Sequence, residues 1–293
     1  MTTTMTITTK LIADLRERTG AGMMDCKKAL EETAGDLAKA VEYLRAKGIA
    51  KAEKRTGRAA AEGLVIAKIA ADGRTGALIE LACETDFVAR NDDFVALAKK
   101  VAEFVLADAA LNGAQVVGAE GAYLNTAWGA ETVGSVVKGE GAKTGENVVL
   151  KNVARFVTTG ALGTYVHHNG KVGVLVEVTG GTDEKAQELA KHVAEHIAAG
   201  VPAIPLSVSR DGVPAEKVES ERRIAAEQAA ESGKPANIVE KMVEGRVNKY
   251  YAEVTLTEQP WVRDDKQTIG QLVKATGAGL AVARFARVQL GLE

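Results

Sequence analysis

The sequence predicts an α+β fold, in which a three-helix amino-terminal domain precedes a duplicated core and a helical hairpin interrupts the second half of that core. Three observations indicate this class. The first ~50 residues show helical apolar periodicity, a strand–hairpin–strand–helix pattern then occurs twice, and a charged helical pair follows the second copy. We expect the core sheets to be antiparallel and packed against helices, because short turns join their strands.

Three amphipathic helices are predicted in the amino-terminal segment. Their apolar stripes consist of Leu11, Ile12 and Leu15, then Met23, Cys26 and Leu30, then Leu37, Val41 and Leu44. Thr8 or Thr9 can cap the first helix and Asp36 the third, because their side-chain oxygens accept bonds from free helix N–H groups. Gly20 and Gly48 are expected to end the first and third helices. Three such helices can share one core.

The first half of the core begins after a charged segment, residues 51–58, which is interpreted as a linker. Residues 64–69 and 77–81 are typical of strands, and the turn residues between them predict a hairpin. A helix with Phe94 and Leu97 on its apolar face follows.

The same unit recurs further along the chain. Gly63, Gly73, Gly76, Leu78 and Glu80 recur as Gly160, Gly170, Gly173, Leu175 and Glu177, at an offset of 97 residues. The helix that follows recurs at an offset of only 92 residues, since Leu97 and Val101 match Leu189 and Val193. The first copy therefore has five residues more than the second, between its second strand and its helix. A duplicated fold explains the repeat.

The extra residues lie within Cys83–Asp92. A loop longer than its scaffold needs is a common place for function, although a surface insertion is also tolerated at little cost. In one interpretation, Thr85 and Asp86 cap a helix while Phe87 and Val88 belong to the core. In the other, Phe87 is exposed as an apolar wedge and Asp86 brings a carboxylate to a cationic site of a partner.

The remaining segments are less regular. Residues 111–145 are rich in glycine and predict one poorly periodic helix, and residues 148–157 predict a strand. Residues 214–231 and 238–251 are helical and joined by a short turn, which predicts an antiparallel helical hairpin of coiled-coil type.

The chain is therefore predicted to divide into three parts. These are a three-helix domain over residues 1–55, a first core subdomain over 56–144 and a second over 145–293, with the hairpin at about 212–254. The second subdomain is expected to finish with a helix over 268–275 and a strand over 282–290.

The composition limits the classes of function. The chain is 46% hydrophobic and 26% charged, as in ordinary globular proteins, and its net charge of −2 disfavours nucleic acid as a direct partner. Two cysteines form no disulfide framework, which suits the cytoplasm. No apolar run approaches the ~20 residues that cross a membrane. No glycine-rich phosphate-binding motif stands in a strand–loop–helix setting, so no nucleotide cofactor is expected.

One sequence pattern suggests a metal site. His192, Glu195 and His196 form H-x-x-E-H, in which two histidines one helical turn apart can bind zinc. The matching helix of the first copy has Lys100 and Phe104 at the histidine positions. Because that helix needs no metal, we expect two half-exposed helix histidines here and no metal.

Other reactive side chains have plainer interpretations. The pair His167 and His168 is expected in a surface turn, and Cys26 in the core. Cys83 is a poor candidate nucleophile, because acidic neighbours raise the pKa of a thiol.

Two long segments carry a family resemblance. The signatures of the elongation factor Ts family resemble residues 15–30 (Leu-Arg-Glu-Arg-Thr-Gly-Ala-Gly-Met-Met-Asp-Cys-Lys-Lys-Ala-Leu) and residues 80–90 (Glu-Leu-Ala-Cys-Glu-Thr-Asp-Phe-Val-Ala-Arg). Residues 240–246 resemble the helical hairpin of the family, and similarity extends from about Ile7 to Val288.

The resemblance implies an amino-terminal domain of the ubiquitin-associated (UBA-like) type and elongation factor Tu as partner. It implies a guanine-nucleotide exchange factor rather than an enzyme, with no catalytic residue, cofactor or metal of its own. Thr85, Asp86, Phe87 and Val88 would enter the partner beside its magnesium and phosphate site and promote GDP release. Further contacts would come from Arg16, Thr19, Gly20, Met23, Met24 and Lys27. A homodimer or a 2:2 complex stays open.

Three departures from the family pattern are visible. Ala82 stands where the family usually has asparagine, and the glycine-rich residues 111–145 predict a short or distorted linking helix. Some members continue beyond the final strand, whereas this chain ends at Glu293, which puts a carboxy-terminal partner contact in question. Two rival functions are a metalloenzyme built on the H-x-x-E-H histidines and an adaptor that binds another protein without exchanging nucleotide.

Overall fold

A computed structural model describes residues 7–118, 120–231 and 235–292. It confirms the predicted α+β class, with three helices first and antiparallel sheets after them.

The amino-terminal helices are α1 (Thr9–Thr19), α2 (Met23–Glu32) and α3 (Leu37–Glu53). Thr8 caps α1 by accepting a bond from the Leu11 amide at 3.2 Å, and Asp36 accepts bonds from the first amides of α3. Gly20 ends α1 with a φ of +66°, a left-handed conformation that glycine adopts without strain. The predicted stripes form one core, whose fully buried members include Leu15, Cys26 and Leu30. Met23 was wrongly placed in it, because it is 49% exposed at the first position of α2.

In the described residues, the first half of the core contains six strands and three α-helices. They are β1 (Glu62–Ile69), β2 (Thr75–Cys83), α4 (Asp86–Ala89), α5 (Asp92–Ala107), β3 (Gly113–Val116), β4 (Ala127–Trp128), β5 (Glu131–Thr132), α6 (Val133–Thr144) and β6 (Val149–Val157). Four of these strands form an antiparallel sheet in the order β1-β2-β6-β3, while β4 and β5 form a separate ribbon.

The second half repeats this plan. Its elements are β7 (Ala161–Val166), β8 (Val172–Thr179), α7 (Glu184–Ala199), α8 (Ala215–Ala230), α9 (Ala236–Val254), β9 (Pro260–Trp261), β10 (Asp264–Thr268), α10 (Ile269–Thr276) and β11 (Ala281–Gln289). The sheet is antiparallel in the order β11-β8-β7, and β9 and β10 form the ribbon.

The duplication extends beyond the predicted unit into the glycine-rich segment. The ribbon β4–β5, helix α6 and strand β6 correspond to β9–β10, α10 and β11. Trp128 of the first ribbon stacks on Phe104 of α5, with ring centroids 4.4 Å apart, and Trp261 of the second ribbon lies against His192 of α7. The helix expected within residues 111–145 occurs as α6, but the prediction omitted strand β3 and the β4–β5 ribbon, which share that segment.

The repeated glycines have a common structural reason. The two sheets pack face to face, and a Cβ atom on Gly173 would lie 2.3 Å from Val65 Cγ1 of the opposite sheet. The equivalent Gly76 would likewise meet Leu175 Cδ1 at 2.9 Å. Such distances are too short for a carbon pair, so glycine allows the sheets to approach. Ala82, the departure from the family pattern, is fully buried in the same layer.

Helices cover the two outer faces of the sheets. Helices α5 and α6 enclose one core against the first sheet, and α7 and α10 enclose another against the second. The resulting order of layers is helix, sheet, sheet, helix.

Helix α3 differs from its prediction, since it continues past Gly48 to Glu53 and takes in part of the expected linker. Gly48 lies against α6, where its Cβ atom would be 2.7 Å from the Ala142 side chain. Arg45 also pairs with Glu131 at 2.6 Å. Packing against α6 thus extends a helix that glycine was expected to end.

The predicted hairpin forms from α8 and α9. Its buried contacts include Val218 and Val247, and Arg246 pairs with Glu221 across the two helices at 2.9 Å. No helix in the described ranges has the length and apolar character needed to cross a membrane. The division of the chain at residues 55 and 144 stays a prediction.

Candidate functional site

The five-residue excess of the first copy corresponds to α4. Helices α5 and α7 both have 16 residues and correspond at the offset of 92, and their N-caps, Asn91 and Asp183, correspond as well. The strand preceding each cap ends at Cys83 in one copy and at Thr179 in the other. The chain uses the additional residues of the first copy to form one extra helical turn.

The structure shows the helix cap of the first interpretation and the exposed Phe87 of the second, while the roles of Phe87 and Asp86 toward a partner stay predictions. Thr85 is the N-cap of α4, since its hydroxyl oxygen accepts a bond from the Val88 amide at 3.4 Å. Val88 packs against the core of the first sheet, and Ala89 is buried. Phe87, in contrast, is 84% exposed. Helix α4 therefore packs on the core through Val88 and Ala89, and its opposite face carries the exposed Phe87.

The fold leaves this large aromatic side chain in solvent. Single exposed apolar side chains are common on protein surfaces, but aromatic residues are enriched in the interfaces between proteins. Phe87 is the most exposed of the large apolar side chains described, ahead of Met24 at 76%.

Asp86 also faces outward. It forms an ion pair with Arg90 one turn later at 3.1 Å, and both side chains remain about half or more exposed, at 49% and 81%. An exposed pair of this kind is worth little to stability. The carboxylate can therefore exchange Arg90 for another cation at small cost.

Sequence reasoning missed the residues that hold the loop in place. Glu146 follows the carboxyl end of α6, and its carboxylate accepts bonds from the Glu84 amide at 3.0 Å, the Thr85 amide at 3.1 Å and the Thr85 hydroxyl at 2.5 Å. Glu84 in turn accepts a bond from the Asn147 amide at 2.7 Å. Glu146 lies 61 residues from Thr85 in sequence. No local pattern could have indicated that pairing.

Cys83 is buried directly beneath this loop. Its thiol donates to the Thr85 carbonyl at 3.2 Å, and burial together with the Glu146 carboxylate raises its pKa to about 12. The side chain is therefore a protonated thiol at neutral pH and supports the loop rather than acting as a nucleophile.

The amino-terminal candidates cluster around the turn between α1 and α2. Met23 and Met24 are 49% and 76% exposed at the start of α2, which makes an apolar patch. Arg16 and Lys27 are exposed, and Lys27 forms a loose pair with Glu31 at 3.8 Å. Thr19 has a structural contact, because its hydroxyl donates to the Leu15 carbonyl at 2.7 Å.

The carboxyl end of α6 connects the two candidate surfaces. Gly20 lies beside Lys143 of α6, so close that a Cβ atom there would be 3.4 Å from the Lys143 side chain. Arg55 donates to the Gly141 carbonyl at 3.0 Å, and Glu146 holds the loop that carries Phe87. The α1–α2 turn and the Phe87 loop are thus both supported by residues 141–146.

The histidines of the H-x-x-E-H pattern have structural partners, and the prediction that both are half-exposed was wrong for His196, which packs into the second core. His196 is buried, its Nδ1 accepts a bond from the Val262 amide at 3.2 Å, and its Nε2 donates to Gln259 Oε1 at 3.0 Å. Burial lowers the pKa of His196, which keeps the ring neutral. Glu195 pairs with Arg263. No cluster of three potential metal ligands occurs in the parts of the chain that the structure describes.

His167 and His168 lie at the turn between β7 and β8, as expected. The His167 amide donates to the Val172 carbonyl at 2.9 Å, and Tyr165 and His167 share a bond at 3.2 Å. These contacts close a hairpin.

Comparison with known proteins identifies one family. The family described as Elongation factor TS matches residues 84–292. Proteins named Elongation factor Ts include one from Methylococcus capsulatus, 46% identical over 98% of this chain and 93% of that one. Those from Prosthecochloris aestuarii and Clostridium botulinum are 42% and 45% identical, over 97% of this chain and 99% and 93% of theirs.

Proposed function

The chain belongs to the elongation factor Ts family, and on that premise we propose that it is a guanine-nucleotide exchange factor for elongation factor Tu. Membership of the family makes it a translation elongation factor. Exchange is a non-covalent function: the factor binds the GTPase·GDP complex, loosens the magnesium and phosphate site, and promotes GDP release. The observation that supports it best is Phe87, 84% exposed on a helical turn that the second copy of the fold lacks.

Exchange follows from linkage between two ligands of the same protein. A factor that binds the nucleotide-free GTPase more tightly than the GDP form must, by reciprocity, weaken GDP binding to the same degree. Fast release also requires a ternary complex in which the phosphate contacts are already loosened. Magnesium bound to phosphate oxygens is a large local charge, so a small displacement of its ligands removes much of the binding energy.

Phe87 and Asp86 have the properties that such a displacement needs. The benzyl group of Phe87 inserts as a wedge between elements of the partner and gains free energy from its own burial. Asp86 can leave its exposed pair with Arg90 and compete for the cationic surroundings of the partner's ion. Thr85 and Val88 hold the turn from below.

The amino-terminal patch has a different role in this proposal. Met23 and Met24 offer adaptable apolar area to the partner's nucleotide domain. Arg16, Thr19, Gly20 and Lys27 surround them. These contacts contribute affinity, whereas the Phe87 loop contributes the rate of release.

The test is the release of a fluorescent GDP analogue from elongation factor Tu in a stopped-flow instrument. We expect Phe87→Ala to lower the maximal release rate at least tenfold and Asp86→Ala to lower it less. Val262→Ala is the control, because Val262 is also an exposed apolar side chain, at 45%, on the second ribbon. Unchanged release with both loop variants would remove the loop from the mechanism. Tight association with no acceleration by the wild-type chain would favour an adaptor.

A further inference from the structure

Glu146 makes a contact with the exchange loop that nothing in the fold itself requires. We propose that Glu146 is a positioning residue for exchange: its carboxylate holds the turn that presents Phe87, and thereby sets the rate of GDP release. This inference rests on the proposed function of the loop and adds a residue 59 positions from Phe87.

Among the described residues, the hydrogen bonds to the Glu146 carboxylate come from Glu84 and Thr85 of the loop. One carboxylate oxygen accepts from the amides of Glu84 and Thr85, and the other accepts from the Thr85 hydroxyl. Hydrogen bonds to an ionised acceptor are roughly twice as strong as neutral ones. Thr85 is the N-cap of α4, so these bonds fix the residue at which the turn begins.

The second half of the core provides an internal comparison. Thr144 and Gly145 at the end of α6 correspond to Thr276 and Gly277 at the end of α10, and each threonine hydroxyl donates to the carbonyl four residues earlier. Both connections continue for three further residues before the next strand. In this alignment Glu146 corresponds to Ala278.

The other anchoring residues differ in the same way. Glu84, Glu146 and Asn147 of the first copy correspond to Gly181, Ala278 and Gly279 of the second. In the second copy the two backbone segments are in direct contact at this place, because a Cβ atom on Gly180 would lie only 2.0 Å from the Gly279 carbonyl oxygen. The scaffold therefore closes without the polar anchor where the loop is missing, and the anchor occurs where the loop is present.

The loop needs an anchor because it is short. Helix α4 has four residues, and so brief a helix is not stable on its own propensity. Its inner face has only Val88 and Ala89 in contact with the core. Without Glu146, the first residues of the turn would keep the N-cap bond, the bond from the Cys83 thiol to the Thr85 carbonyl and the bond from the Asn147 amide to Glu84, but the Glu84 and Thr85 amides would lose their acceptor.

The end of α6 is itself firmly placed. Arg55 donates to the Gly141 carbonyl, and Lys143 pairs with the buried Glu140 at 3.2 Å. Gly145 ends the helix with a φ of +82°. Glu146 thus ties the loop to a fixed helix end that also contacts the amino-terminal domain.

The experiment compares Glu146→Ala, Glu146→Gln and Phe87→Ala with the wild-type chain in the release of fluorescent GDP. Glutamine can still accept both amide bonds, and its NH₂ group can donate to the Thr85 hydroxyl. Glu131→Ala is the matched control, because Glu131 lies at the other end of α6 and accepts bonds from Arg45 and Ser135. Release is measured over a range of factor concentrations, which separates the maximal rate from the apparent affinity.

We expect Glu146→Ala to lower the maximal rate about tenfold, since the loop loses three hydrogen bonds to an ionised acceptor. The apparent affinity should change less than threefold, and Glu146→Gln should restore most of the rate. Combining Glu146→Ala with Phe87→Ala should slow release no further than Phe87→Ala alone, because both changes act on one element. A general loss of stability would instead add to the effect of Phe87→Ala.

Three outcomes would overturn the proposal. They are an unchanged rate with Glu146→Ala, equal losses with alanine and glutamine, and additive losses in the double variant. If Phe87→Ala slows release while Glu146→Ala does not, only the positioning role fails; if Phe87→Ala is itself without effect, the proposed function of the loop fails. If the alanine variant does not fold, a tenfold loss of the maximal rate in Glu146→Gln alone would still overturn the inference.

Discussion

Glu80 and Glu177 occupy the same position in the two halves of the core, and both are buried, but their side chains have different partners. Glu177 pairs with Arg284 at 2.5 Å. Glu80 accepts a bond from Asn152 at 2.6 Å, and its second oxygen has no partner among the described residues. Burial raises the pKa of Glu80 above its ordinary value of 4.5.

The replacement Glu80→Gln should therefore stabilise the protein at neutral pH, by about 1 kcal/mol, because it removes a buried charge that lacks a cation. The folded pKa is raised, so the cost of the carboxylate grows as pH rises above 4.5. The advantage of glutamine should accordingly vanish as pH falls towards that value. Urea unfolding at pH 7.5 and pH 4.5 measures both.

Glu177→Gln is the matched control with the opposite sign. Arg284 would keep its contact with the Phe156 ring but lose its carboxylate, and we expect a loss of roughly 1–3 kcal/mol. If Glu80→Gln and Glu177→Gln changed the free energy of unfolding in the same direction, the proposed difference between the two buried carboxylates would be wrong.

Replacing a glycine between the two sheets with alanine should destabilise the protein. We expect Gly173→Ala to cost roughly 1–3 kcal/mol, because its Cβ atom would lie 2.3 Å from Val65 Cγ1. Gly76→Ala should cost less, since the nearest atom is the end of the Leu175 side chain at 2.9 Å. Gly245→Ala in α9 meets no atom within 4 Å and should stabilise by about 1 kcal/mol. Thermal unfolding of the three variants gives the order.

His196 should make stability depend on pH. Its pKa is lowered by burial, so the unfolded chain takes up a proton that the folded chain refuses, and stability should fall as pH drops below the ordinary value of 6.5. His196→Phe copies the first half of the core, where Phe104 stands, but removes the partner of Gln259. We expect it to cost roughly 1–3 kcal/mol at pH 7.5 and to flatten the dependence between pH 7.5 and pH 5.5. If the stability of His196→Phe keeps its full dependence on pH, a group other than His196 is responsible for that dependence.

Changes in the amino-terminal patch and in the Phe87 loop should affect different kinetic constants of GDP release. Met24→Glu places a charge on an exposed apolar patch, so we expect about tenfold weaker apparent affinity for elongation factor Tu and an unchanged maximal rate of GDP release. Phe87→Ala should show the reverse. Titration of release rate against factor concentration distinguishes the two, and a fall in maximal rate with Met24→Glu would show that the patch does more than bind.

Periodicity and local chemistry were sufficient for much of the fold. The three amino-terminal helices, their caps at Thr8 and Asp36, the two sheet hairpins and the α8–α9 hairpin all depend on contacts within a few residues. The duplication was visible because both copies need glycine at the same close approaches, as Gly76 and Gly173 demonstrate. The five-residue excess located α4 without any structural information.

Tertiary structure decided what depends on distant residues. Helix α3 passes Gly48 because α6 packs there, and the glycine-rich segment contains strand β3 and the β4–β5 ribbon besides its one predicted helix. The orientation of Phe87 was open in the sequence, since a cap, a core residue and a wedge use the same residue types. The structure leaves Phe87 exposed, on a turn whose first residue, Thr85, bonds to Glu146, 61 residues away in the sequence. No local pattern encodes that contact.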